Sequence, residues 1–278
     1  MSVSVKMHQM RNRVNVLYLT TRCNMECDYC YEEASRNNLP EQVEVTEELI
    51  DRYLTEISYR EFGKVSTVVI MGGEVFLKPH LLKYVFNKMS EIDHMWGVSI
   101  STNGTLIFDC ELLNTIFKDK KDNISLTIEI SYDGSGHFRR VFRNSKQSTK
   151  LEVEKSIDVM VKNKIPLKIS YTIHKGNYNN FLYDMVYILE RWGKDILAIK
   201  LSPFKKELED NFGINPIDKL GLYANRLYAK YKVPICNFSC NVCKKCDKSE
   251  FIGNAYFSPK GDNIKYEEST TRKNFDKW

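Results

Sequence analysis

The sequence predicts an α/β protein: six βα units forming a parallel sheet curved into a partial barrel, followed by a small cysteine-rich appendage. Three observations carry that prediction. Short β-branched runs alternate with amphipathic stretches of helical period along most of the 278 residues. The most distinctive residues fall just after the first four predicted strands, at the carboxyl ends where α/β sheets place ligand sites. Beyond Lys232 the alternation stops, and a second group of cysteines and a hairpin pattern take over.

The first strand reads from Val14 to Thr20 and runs directly into Cys23, Cys27 and Cys30. Thr46 is the expected N-cap of the first helix, with Glu47 and Glu48 in the turn where the helix dipole favours acids. Leu49, Ile50, Tyr53, Leu54 and Ile57 line its apolar face. The second strand, Val65 to Met71, ends in Gly72-Gly73-Glu74 and precedes a helix over Leu81 to Ile92. The third, Trp96 to Thr102, ends in Asn103-Gly104, with a helix near Asp109 to Lys118. The fourth, Ile124 to Tyr132, ends in Asp133-Gly134, with a helix near Thr149 to Lys162. A strand over Leu167 to Ile173, a helix over Tyr178 to Trp192, a strand over Ile196 to Leu201 and a helix over Ile217 to Lys232 complete the series. Residues 1–205 form the expected barrel. Residues 206–278 form the appendage, with a hairpin over Ala255 to Tyr266 turning at Pro259-Lys260-Gly261-Asp262.

An apolar fraction of 42% and a charged fraction of 28% are ordinary for a globular protein. No apolar run approaches the roughly 20 residues of a membrane helix, and Met1 to Arg13 lacks the apolar core of a secretory signal, so a cytoplasmic protein is expected. The net charge of +5, from 41 basic and 36 acidic residues, is too mild to point to nucleic acid.

The eight cysteines say more. Seven form two tight groups, Cys23/Cys27/Cys30 and Cys236/Cys240/Cys243/Cys246, and Cys110 stands alone as expected core filler. In a reducing compartment, thiols with gaps of two or three residues are metal ligands rather than a disulfide framework. Three thiolates in one loop hold three irons of a cubane cluster and leave the fourth open, whereas an electron-transfer cluster or a structural zinc site takes four ligands. His8 or His80 could complete a zinc site, although nothing in the sequence places either nearby. The second group supplies four ligands and suits a closed site, either an auxiliary 4Fe–4S cluster or tetrahedral zinc, with Lys244, Lys245 and Lys248 offsetting the thiolate charge.

The stretch Cys23-Asn24-Met25-Glu26-Cys27-Asp28-Tyr29-Cys30-Tyr31 resembles the signature of radical S-adenosylmethionine (SAM) enzymes. It is closest to the CNxxCxYCY form of the SPASM and Twitch branch, which includes anaerobic sulfatase-maturing enzymes and ribosomal-peptide maturases. Further motifs follow in family order over roughly residues 14–202. The resemblance implies that the open iron chelates the methionyl group of SAM and that Tyr29 lies against the adenine. Gly72-Gly73-Glu74 resembles GGEP, with Val75 in place of Pro, and would meet the cofactor's ammonium. Ser101-Thr102-Asn103-Gly104-Thr105 resembles STNGT, whose Ser101 and Asn103 would approach the ribose and methionyl portion. Ser131-Tyr132-Asp133-Gly134 resembles SLDG, whose Ser131 would bind the cofactor. Arg143 stands where family members pair the cofactor carboxylate, with Arg139 and Arg140 as alternatives because His137-Phe138-Arg139-Arg140 departs from HDxxR.

The implied activity is reductive cleavage of SAM to a 5′-deoxyadenosyl radical that abstracts a substrate hydrogen. A peptide or protein side chain is the expected substrate, and a small molecule or nucleobase the alternative. A non-catalytic metal- or nucleic-acid-binding protein is a remote third reading. A flavodoxin or ferredoxin would donate the electron. The hairpin resembles that of SPASM and Twitch domains, but no cysteine follows it in these 278 residues, so a seven-cysteine, two-cluster SPASM domain is not expected. No general acid or base is evident, although Tyr132 and Asp133 lie near the expected site.

Overall fold

A computed structural model describes residues 14–30, 45–107, 113, 121–213, 216–237, 254–257 and 264–267. The strands are β1 (Val14–Tyr18), β2 (Met25–Cys27), β3 (Val65–Met71), β4 (Met95–Thr102), β5 (Ile124–Ser131), β6 (Arg140–Phe142), β7 (Leu167–Ile173), β8 (Ala198–Pro203), β9 (Ile235–Asn237), β10 (Asn254–Phe257) and β11 (Ile264–Glu267). The described helices are α1 (Glu47–Arg60), α2 (Pro79–Glu91), α3 (Lys150–Lys162), α4 (Phe181–Trp192), α5 (Lys205–Phe212) and α6 (Pro216–Tyr231). The helix expected near Asp109 to Lys118 lies, apart from Leu113, outside the described residues.

The six expected strands, β1, β3, β4, β5, β7 and β8, pair in parallel in that order. The sheet then grows at both edges. β9 adds in parallel to β8, and the C-terminal hairpin adds through β10, parallel to β1, with β11 antiparallel outside it. Strands on both sides of residue 205 therefore share one nine-stranded sheet.

Local signals explain the helices. Thr46 caps α1, its hydroxyl accepting from Leu49 N at 3.3 Å. Pro79 starts α2 at a position where its missing N–H costs nothing. The helix expected from Tyr178 divides into a 3-10 turn, Tyr178–Asn180, and α4. No helix among the described residues is long and apolar enough to cross a membrane.

A parallel sheet covered on both faces reads as continuous apolar runs. Here the strands alternate instead. Val68, Ile70, Trp96, Ile100, Ile128, Ile130, Ile169 and Ile173 are buried in one core with the apolar stripes of α1 to α4. The opposite face carries Ser99 and Ser101 on β4, Thr127, Glu129 and Ser131 on β5, and Lys168, Ser170 and Thr172 on β7. All of these are half-buried. Among the described residues, helices cover one face only, which is the arrangement of an open barrel with an inner wall.

At the amino ends of the strands a buried polar clasp closes the core. Ser66 Oγ donates to Glu61 Oε2 at 2.5 Å and lies 2.7 Å from His94 Nε2, and Glu61 Oε1 accepts from Asn15 Nδ2 at 3.2 Å. At the carboxyl ends, the turn after β4 depends on Gly104, whose φ of +79° is unfavourable for side-chain-bearing residues and whose absent Cβ leaves room for Ile130 of β5. Gly104→Ala is therefore expected to destabilise the protein by about 1–3 kcal/mol, read as a lower urea midpoint. An unchanged midpoint would contradict this packing.

Candidate active site

The cysteine loop is partly a strand. β2 pairs antiparallel with β6 and sets Cys27 opposite Arg140, and Arg143 N extends the pairing to Asn24 O at 2.9 Å. Cys30 N closes a turn onto Cys27 O at 3.1 Å. Cys23, Cys27 and Cys30 are half-buried, and none is in a disulfide. Cys23 Sγ accepts from Met25 N at 3.4 Å and from Asn103 Nδ2 at 3.7 Å. Burial pushes the Cys27 thiol up to about 12, against the pull of the Arg140 guanidinium. A bound metal reverses such a shift by deprotonating its thiol ligand. Three half-buried thiols on one ribbon, with an amide N–H on Cys23, match a 4Fe–4S cluster held by three protein ligands. Among the described residues no three His, Cys, Asp or Glu side chains converge on a site for a single ion.

The Gly72-Gly73-Glu74 segment extends the β1–β3 pairing to the threshold of the cysteines. Gly73 N donates to Thr20 O and Glu74 N to Arg22 O, each at 2.8 Å. The glycines are required by this approach, since a Cβ on Gly72 would sit 2.5 Å from the Thr20 oxygen and one on Gly73 would overlap the Arg22 carbonyl. Glu74 is 1% exposed. Its Oε1 accepts from Phe76 N at 3.0 Å and Thr102 Oγ at 2.8 Å, and its Oε2 from Asn103 N at 2.7 Å. Burial raises its pKa, and the three hydrogen bonds oppose that rise. The carboxylate thus bolts this turn to the Ser101–Thr105 segment. Val75 opens a 3-10 turn over Val75–Leu77 and is fully buried, so it anchors the segment by packing.

Asn103 continues the link to the cysteines. Its Nδ2 donates to Asn24 Oδ1 at 2.9 Å, and its Oδ1 accepts from Thr105 N at 2.9 Å and Thr105 Oγ at 2.8 Å. Ser101 and Ser131 lie on the uncovered inner face, at the carboxyl ends of β4 and β5.

The second anchor of the ribbon is Asp133, which is wholly buried. Arg140 Nε donates to its Oδ2 at 2.6 Å, Thr172 N donates to its Oδ1 at 2.9 Å, and the Tyr29 hydroxyl donates to the same carboxylate. Burial alone would raise this carboxyl, but the Arg140 guanidinium and the hydrogen bonds outweigh it and hold the group below its ordinary value. Around the Tyr29 ring, the Arg139 and Arg140 guanidinium carbons lie 5.1 and 5.3 Å from the centroid and the His174 ring 5.2 Å away.

The arginines divide their work. Arg140 is committed to Asp133. Arg139 forks between two acids, with Nε on Asp28 at 2.8 and 2.9 Å and its terminal nitrogens on Glu207 of α5 at 2.8 and 3.0 Å. Arg143 lies at the rim on the ribbon itself, Nη2 donating to Met25 O at 3.1 Å, with its side chain 38% exposed. Cys236 lies on β9 paired with Lys200 of β8, while Cys240, Cys243, Cys246, Lys244, Lys245, Lys248 and Cys110 lie outside the described residues, as does His8. His80 is exposed near the start of α2. Asn24, Asp28, Thr102 and Glu207 also join the site. Of these, Asn24, Asp28 and Thr102 sit inside the motifs, and Glu207 belongs to a helix the periodicity did not indicate.

Two stability measurements follow. Arg140→Met strands the buried Asp133 charge and is expected to cost about 3–5 kcal/mol in urea unfolding, with much of the loss recovered when Asp133→Asn is added. His137 is buried, with Nδ1 accepting from Asp133 N at 3.2 Å and Nε2 3.1 Å from Thr149 Oγ. Burial, opposed by the Asp133 charge, lowers its pKa from 6.5 to about 3. As pH falls below 6.5 the unfolded chain takes up a proton that the folded protein refuses. Stability therefore declines through that window by up to roughly 1.4 kcal/mol per pH unit. His137→Gln should flatten this decline, and an identical slope in the variant would contradict it.

The family model of the radical SAM superfamily matches residues 17–185. A probable GTP 3′,8-cyclase of Methanococcus maripaludis is 24% identical over 246 residues, covering 85% of this chain and 78% of its own length. The putative peptide biosynthesis protein YydG of Bacillus subtilis is 25% identical over 198 residues, or 70% of this chain and 55% of that one. Among solved structures, anSMEcpe with bound AdoMet matches with a TM-score of 0.65 at 16% identity over 81% of this chain, which spans only 63% of anSMEcpe. A form of anSMEcpe with bound AdoMet and Kp18Cys peptide matches with a TM-score of 0.63. With more than half of its length matched by the family model and its fold shared with these structures, the chain belongs to the radical SAM superfamily of enzymes.

Proposed function

We propose that this enzyme uses SAM and a 4Fe–4S cluster on Cys23, Cys27 and Cys30 to modify a peptide or protein side chain. The observation that carries the cluster assignment is the ribbon of three half-buried thiols joined through Asn103 to the Gly72–Glu74 and Ser101–Thr105 turns. When bound, cluster and cofactor supply a 5′-deoxyadenosyl radical that takes a hydrogen from the substrate. The protein's own work is placement. Cys23, Cys27 and Cys30 hold the cluster, and the backbone of Gly72 and Gly73, with Ser101, Asn103 and Ser131, faces the cofactor. Arg143 at the rim pairs its carboxylate, and Tyr29 contributes its ring edge. Glu74 acts through the turns it joins.

The peptide reading draws on YydG and on the peptide-bound anSMEcpe fold. A second reading, a nucleotide or other small molecule, draws on the GTP 3′,8-cyclase relative. Cys236, Cys240, Cys243 and Cys246 would hold an auxiliary 4Fe–4S cluster, or zinc, and a flavodoxin or ferredoxin would deliver the electron.

Anaerobically reconstituted protein, given dithionite and SAM, is expected to release 5′-deoxyadenosine, and Cys27→Ala to release none. Wild-type protein that releases none with any candidate substrate would contradict the radical reaction. Deuterium passing into 5′-deoxyadenosine from a labelled peptide supports the first reading, and from a labelled nucleotide the second. Alanine at all four C-terminal cysteines should remove about four irons if the second site is a cluster, and zinc instead if it is not.

A further inference from the structure

The inner face of the sheet carries Thr67, Val69 and Met71 on β3 and becomes charged from β5 to β8. Two contacts fix the direction in which it looks. Thr172 Oγ lies 3.5 Å from Arg140 Nη2, so the face opens toward the cysteine ribbon, while neighbouring Tyr171 donates to Asp184 of α4 on the helical side at 2.6 Å. Strand register arranges its charges. Ser101, Glu129 and Lys168 form one rung, and Ser131, Ser170 and Lys200 the next. The second rung lies about 6–7 Å nearer the cysteines.

Lys200 Nζ reaches Glu129 Oε1 at 2.6 Å, an ion pair that spans the two rungs. Lys168 stands beside Glu129 in register, half-buried, and its side chain makes no hydrogen bond or ion pair among the described residues. Among the described residues of this face, two lysines thus stand with the single carboxylate of Glu129. The arginines above it do not contribute to this excess, since Arg140 is answered by Asp133 and Arg139 by Asp28 and Glu207. An apolar group entering here would strip water from the charges without replacing its hydrogen bonds. A cationic group would meet net repulsion. An oxyanion would gain a charge-assisted bond from a lysine and a donor from Ser170.

We infer that this inner face anchors the substrate through an oxyanion, a carboxylate or a phosphate, received by Lys168 with Lys200 and the Ser170 hydroxyl. The assignment rests on the radical reaction proposed above and gives its substrate a chemical class. The oxyanion has two sources, an acidic residue of a peptide or the phosphates of a nucleotide.

Calorimetric titration of the reconstituted, SAM-loaded full chain with two matched probe pairs separates them. One pair is the peptide acetyl-Ala-Glu-Ala amide and its glutamine counterpart, and the other is GTP and guanosine. One anionic probe is expected to bind at least about tenfold more tightly than its neutral partner, and the pair showing the preference identifies the source. Lys168→Gln and Lys200→Gln should each reduce the preference, and Lys168→Glu should turn it toward acetyl-Ala-Lys-Ala amide. No preference for either anion in the wild type, or a preference untouched in both glutamine variants, would overturn the site. Release of 5′-deoxyadenosine by the same wild-type preparation tests the radical reaction separately. Release without a charge preference removes the oxyanion site alone, and absence of release removes the radical reaction.

Discussion

The arrangement around the cysteines depends on the buried ion pair between Asp133 and Arg140. A carboxylate with no solvent exposure is tolerable only with a full set of partners. Asp133 obtains them from three directions: the Arg140 guanidinium, the Thr172 amide of β7 and the Tyr29 hydroxyl. Because Arg140 lies opposite Cys27 in the β2–β6 ribbon and Tyr29 adjoins Cys30, satisfying this one charge fixes the cysteine segment against the ends of β5 and β7. The reverse also holds, since a displaced ribbon would leave a buried charge unpaired. Such a brace gives the cysteine segment a defined geometry.

Glu74 plays the corresponding part on the other flank. Its three accepted hydrogen bonds join the end of β3 to the end of β4, and Asn103 passes the constraint to Asn24 and Cys23. The two carboxylates differ in their surroundings. Asp133 faces a guanidinium and stays below its ordinary pKa, whereas Glu74 faces only neutral donors and is raised. Both act by positioning backbone around the cysteine ribbon, at the carboxyl ends of β3 to β5.

Much of this was legible in the sequence because the relevant signals are local. The alternating β-branched strands, the Thr46 cap and the motif turns read directly, and the six expected strands pair as a parallel sheet. What did not read is long-range or weakly patterned. α5 has a charged sequence in which Leu208 is buried in the core and Phe212 packs against it, so its period carried little signal. β2 and β6 span three residues each, too short for a two-residue period to register. The insertion of β10 beside β1 joins segments about 240 residues apart and has no local signature. Glu74 read as a ligand group by resemblance, but its partners are set by the meeting of two turns. The polar inner face was available in Ser99-Ile100-Ser101 and Lys168-Ile169-Ser170, an alternation foreign to a doubly covered parallel sheet.

In the proposed enzyme the braced ribbon would give three thiolates to one cluster and leave one iron open for SAM. Electron paramagnetic resonance tests it most directly, in protein carrying alanine at Cys236, Cys240, Cys243 and Cys246 so that the ribbon cysteines alone can bind a cluster. After anaerobic reconstitution and reduction, a reduced 4Fe–4S signal whose g-values shift when SAM is added is expected. A spectrum that is the same with and without SAM would contradict it.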